Sequence, residues 1–152
     1  MGIEKHQELS ARTKSFALRI MRMSDALPKT RAGNVVGHQI LRSATSVAAN
    51  YRAAGRARSK AEFIAKIGIV IEEADETVLW LELLAEGNVL PAAKLEGPLT
   101  EAKQLLAIFF SFRAHSQEMT TNHNCGRMPT LRGSLTSRSR AITRSPDLPI
   151  LL

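Results

Sequence analysis

Between Gln39 and Phe63 the chain spells out two helices and the corner that joins them. Val36, Ile40, Ala44, Val47, Tyr51 and Ala54 recur at intervals of three and four, which places them on one helical face. Alanines in that stripe allow a neighbouring helix to approach closely. Gly55 loosens the end, and Arg56, Ala57 and Arg58 make an arginine-rich turn. Ser59 and Glu62 then stand at capping-box spacing, where a hydroxyl and a carboxylate each satisfy a backbone N–H left open by the first turn. Phe63, Ile67, Val70, Ala74, Val78 and Leu81 carry the apolar face onward until Gly87-Asn88.

The same periodicity defines a helix on either side. Leu9, Phe16, Ile20, Met23 and Leu27 form a first stripe, filled in by Thr13, Ala17 and Ser24, and Pro28 stops it. Asn34 is the expected N-cap of the second helix. Leu95, Leu99, Ala102, Leu105, Leu106, Phe109 and Phe112 mark a fourth helix. Proline removes one helix hydrogen bond and clashes with the preceding turn, so within the span from Ala92 either regular helix starts at Pro98 or the helix kinks there, the later regular start being favoured. The expected spans are about 5–27, 34–56, 59–86 and 92–115. Together they predict an all-α, antiparallel, up-and-down four-helix bundle in residues 1–117. From 118 to 152 the chain is rich in Ser, Thr, Arg and Pro without apolar periodicity, and a disordered basic tail is expected. That tail reads either as a basic arm or as a coding accident.

Hydrophobic residues make up 44% of the chain but aromatics only 5%, which suits aliphatic helix packing. The net charge of +7 is uneven: residues 1–71 carry +9, residues 72–112 carry −6 and the remainder +4. Such a chain can attract polyanions, or its two halves can attract each other between subunits. A lone cysteine, Cys125, excludes an internal disulfide and a multi-cysteine metal cluster. Charges at Glu4, Lys5 and Glu8 interrupt any leader-like run, and no segment approaches the roughly 20 apolar residues of a membrane span. A cytoplasmic protein without membrane contact is therefore expected.

The order Gln39, Ile40, Leu41, Arg42, then Ser46, Val47, Ala48, Ala49, Asn50, then Arg58-Ser59, Glu62-Phe63 and Glu73 resembles the four-helix bundle proteins encoded in intervening sequences of bacterial 23S ribosomal RNA genes, the S23 family. The resemblance covers residues 6–115, roughly three quarters of the chain. It departs from the family pattern at Ala53 and Ala54, where an acidic residue and a glycine are common, and at Ile69 and Val70 in place of a small residue and serine. What the resemblance implies is a ring-shaped homo-oligomer, a pentamer, and kinship with accessory proteins of diversity-generating retroelements, basic rings that serve a reverse transcriptase and its RNA.

Two charge runs carry the functional expectations. Arg42, Arg52, Arg56, Arg58 and Lys60 cluster around the turn, and arginine forks grip phosphate oxygens with paired hydrogen bonds. Tyr51 could add a stacking face for a base. The competing account is a solvated corner whose arginines pair with Glu72, Glu73 or a neighbouring subunit. Glu72, Glu73, Asp75 and Glu76 form the acidic run, yet His6, His38, His115 and His123 all lack a glutamate three residues earlier, so the Glu-x-x-His element of di-metal bundles is missing. No nucleotide-binding fingerprint or catalytic triad spacing is present, and neither an enzyme nor a cofactor is expected. Asn50 is expected to bridge helices or cap the turn, with Ser59 and Glu62 as structural polar groups. Ile69, Glu73 and Trp80 on the over-apolar third helix are expected at a subunit interface. The leading expectation is a non-enzymatic module that binds structured RNA or a nucleoprotein. The alternative is a purely structural or protein-binding homo-oligomer whose arginines make subunit contacts.

Overall fold

A computed structural model describes residues 3–124. Four helices follow one another: α1 (Ile3–Asp25), α2 (Arg31–Ala54), α3 (Lys60–Glu86) and α4 (Ala92–Asn124). Connections of a few residues reverse the chain between them, and each helix packs on its sequence neighbours while α1 and α4 close the ring. This is the antiparallel four-helix bundle expected from the stripes. No helix among the described residues is long and apolar enough to cross a membrane.

The core is made of the stripes themselves. Phe16 and Ile20 from α1, Ile40, Val47 and Tyr51 from α2, Ile67, Val70 and Leu81 from α3, and Leu95, Leu105 and Phe109 from α4 are all buried. Aliphatic side chains of this kind each contribute about 1.5–3 kcal/mol when fully removed from water. At the α2–α3 seam the buried hydroxyls of Ser43 and Thr77 lie 2.9 Å apart, each also against a carbonyl of its own helix.

Besides two-residue shifts at both ends of α1 and a longer C-terminal end of α4, three boundaries differ from the sequence expectation. Thr30, not Asn34, caps α2: its Oγ1 accepts the Gly33 N–H at 3.0 Å, and Asn34 sits in the first turn, donating its N–H to the Thr30 carbonyl. The earlier start depends on Gly33, where any Cβ would overlap the Pro28 carbonyl. At the other end α2 stops at Ala54 rather than 56. Third, α4 begins at Ala92 and runs through Pro98 instead of starting there. Leu95 and the Pro98 ring are buried, and this anchors the turn before the proline.

The helix of α4 continues through 118–124, within the segment expected to be disordered. The rest of that expected tail, with Cys125, lies outside the described residues.

Candidate nucleic-acid interface

The α2–α3 corner owes its shape to two local devices. Gly55 lets α2 end against α1: its N–H donates to the Tyr51 carbonyl, and a side chain at this position would overlap the His6 ring. Ser59 then opens α3, its Oγ accepting the Glu62 N–H at 3.1 Å. The capping box forms on one side only. The Glu62 carboxylate reaches the Arg58 N–H at 2.9 Å rather than that of Ser59, one residue further back than the motif implies.

Beneath the corner three rings stack across the bundle. His6 of α1 lies 5.0 Å from Tyr51 of α2, and Tyr51 lies 5.4 Å from Phe109 of α4, all measured between ring centres. The Tyr51 hydroxyl is 3.1 Å from His6 Nδ1. Burial pushes the Tyr51 phenol up to about 12. With no exposed surface, Tyr51 offers no face to a base, which corrects the stacking role expected of it. Asn50 is corrected too: its Nδ2 donates to the Ser46 carbonyl one turn back, at 3.0 Å, so it neither bridges helices nor caps the corner.

The cations divide into two sets. Arg42, midway along α2, is clamped against α3: its Nη2 meets both oxygens of Glu76 and its Nη1 lies 3.5 Å from Glu73. Trp80 Nε1 donates to the same Glu76 at 3.0 Å. The hydrogen bond it donates to Glu76 holds the Arg42 guanidinium above its ordinary value, and those accepted from Arg42 and then Trp80 hold the Glu76 carboxyl below its own. On α1, Arg12 donates to Glu101 and Gln104 of α4, each at 2.7 Å, and the Glu101 bond raises its pKa. These pairs join the basic and acidic halves of the chain within one protomer. Arg42 is therefore already matched by carboxylates of its own chain.

Arg52, Arg56, Arg58 and Lys60 remain exposed around the corner. Among the described residues Arg52, Arg56 and Lys60 make no ion pair, while Arg58 has only a long contact of 3.5 Å to Glu62. Alongside them, a cleft of about 600 Å³ opens between α1 and α2. It is lined by His6, Gln7, Ser10, Ala11 and Lys14 of α1 and by Ala48, Ala49 and Arg52 of α2. Sequence reasoning missed Lys14. The signal was present, since Gln7, Ala11, Lys14, Leu18 and Met21 repeat at alternating steps of four and three on a second face of α1.

The residues expected at a subunit interface also separate. Glu73 is occupied by Arg42, and Trp80 is half-buried against the core with its N–H on Glu76. Ile69 is 37% exposed, and the apolar surface of α3 continues through Leu79 and Leu83, which are 50% and 43% exposed.

The chain matches the model of the 23S rRNA-intervening sequence protein family over residues 5–111. It is similar to a crystal structure of a protein with unknown function from the S23 ribosomal protein family of Bacteroides thetaiotaomicron VPI-5482. The two are 34% identical over 68% of this chain and 96% of that one, with a TM-score of 0.64. No curated protein matches. With a family match over more than two thirds of its length and a solved relative sharing its helices, the chain belongs to the 23S rRNA-intervening sequence protein family.

Proposed function

We propose that this protein is a non-enzymatic interaction module that binds structured RNA, free or within a nucleoprotein, through the basic corner between α2 and α3 on a ring-shaped homo-oligomer. One observation carries the reading. Arg12 and Arg42 are matched by carboxylates across helix seams, whereas Arg52, Arg56 and Lys60 are exposed without an ion pair among the described residues. Clustered unmatched cations are the electrostatic requirement for holding phosphates. The test is fluorescence anisotropy with a labelled RNA hairpin across a salt series. Changing Arg52, Arg56 and Arg58 together to glutamine weakens binding and flattens the slope of log affinity against log salt by about 0.7 to 0.9 for each lost phosphate contact. Unchanged affinity sinks the proposal.

A second reading rests on the exposed Ile69, Leu79 and Leu83 of α3: a structural homo-oligomer whose arginines contact neighbouring subunits. Under that reading the triple variant breaks into smaller species in light scattering.

A further inference from the structure

The basic surface does not end at the arginine turn. Arg52 belongs both to the corner and to the α1–α2 cleft, which Lys14 lines from the other helix. We propose that this cleft seats the ribose-phosphate backbone of RNA, with Lys14 and Arg52 on the phosphates and Ser10 and Gln7 on the ribose hydroxyls. The proposal rests on the RNA-binding function above and adds the site and the kind of nucleic acid it prefers.

Four features point this way. No carboxylate lines the cleft, and neither Lys14 nor Arg52 makes an ion pair among the described residues. At about 600 Å³ the space falls within the roughly 300–1,000 Å³ of ordinary small-molecule sites. Ala11, Ala48 and Ala49 end at Cβ, so a sugar-phosphate chain can lie close to both helices along a cleft that two cations line. Finally, the one ring that lines the cleft, His6, is half-buried against Tyr51, which is itself buried. Binding at this site is therefore led by the backbone and tolerant of sequence. A hydroxyl and an amide beside the phosphates suit RNA over DNA, because the 2′-hydroxyl both donates and accepts hydrogen bonds. The alanine floor would also admit an acidic helix from a second copy, and the experiment separates the two.

Anisotropy is measured for an RNA hairpin and for the DNA hairpin of the same sequence, with light scattering and circular dichroism run in parallel. The wild type binds RNA more tightly than DNA. Lys14→Gln flattens the salt slope for RNA by about 0.7 to 0.9. Ala49→Leu, at an exposed helical position that tolerates a good helix former, blocks the cleft and weakens binding while helicity is unchanged. Ser10→Ala with Gln7→Ala narrows the RNA–DNA difference and leaves DNA affinity as it was. If Lys14→Gln and Ala49→Leu bind RNA like the wild type while the triple arginine variant does not, the corner binds RNA and the cleft assignment is wrong. Equal wild-type affinity for RNA and DNA also overturns it. So does an Ala49→Leu variant that loses its oligomeric state but keeps RNA affinity, since a neighbour's helix then fills the cleft. A wild type that binds neither hairpin overturns this site and the function on which it rests.

Discussion

Arg42 and Arg52 stand ten residues apart on the same helix and meet opposite fates. At Arg42 the neighbouring helix presents Glu73 and Glu76, and the guanidinium is gripped by two carboxylates across the seam. Arg52 instead lines a cleft whose other charged lining residue is Lys14, and no acid lines that space. The same side chain is thus part of the scaffold in one place and free to meet a ligand in the other. What decides is the charge that the adjoining helix brings alongside. Composition cannot settle this, because it counts both arginines alike.

The contrast can be broken first from below. Tyr51→Ala removes the buried ring that joins His6 to Phe109 beneath the corner, and large-to-small changes of this kind cost about 3–5 kcal/mol. Thermal and denaturant melts should show that loss, and a variant melting like the wild type would mean the corner does not depend on its ring stack.

A smaller effect follows from pH. Burial raises the Tyr51 phenol to about 12, above the value of about 10 it has when unfolded. A group whose folded pKa is raised contributes its stability below the unfolded value and loses it as pH climbs through the folded one. Stability should fall between about pH 10 and 12, and Tyr51→Phe should blunt that fall. An identical alkaline profile for the two proteins would count against the buried hydroxyl as its cause.

Smaller still is the seam. Glu76→Gln removes the charge that grips Arg42, and an exposed pair of this type is largely screened. A slight drop in Tm at low salt is expected, vanishing at high salt. The Glu76 carboxyl is held below its usual range, so its contribution is present above that range and fades as pH drops through the lowered value. The arginine corner should matter least to folding. Arg52→Gln and Arg56→Gln should leave stability within about 0.5 kcal/mol, the usual range for surface changes. A marked loss of Tm would show that these residues hold the scaffold as Arg42 does.

Much of the fold could be read from apolar spacing alone. Every large residue predicted to face inward on α1 and α2 is buried or packed on the core, because a period of 3.6 leaves little choice of face. That periodicity also bears on Tyr51, whose place in the buried stripe outweighs the stacking role its chemistry suggests. Boundaries were harder to read where two signals competed. Thr30 and Asn34 are both good caps, and the decision lies in how closely Gly33 approaches the Pro28 carbonyl, a contact made only in three dimensions. At Pro98 local chemistry argued for a break, and burial of Leu95 and the proline ring overrode it. The candidate site was legible in part. Arg52, Arg56 and Lys60 were found from their clustering, but Lys14 comes from another helix, and the pairing of Arg42 depends on how α2 and α3 are rotated against each other.

The fit of His6 over Gly55 links two positions 49 residues apart in the chain. Position 55 is barred to larger residues only while position 6 carries a ring that folds over it. The two sites should therefore vary together among relatives: where 55 gains a side chain, 6 should shrink, and the partner of the Tyr51 hydroxyl should disappear with it. An aligned set of homologues would then show an absent methyl group at one site as the imprint of an imidazole at the other.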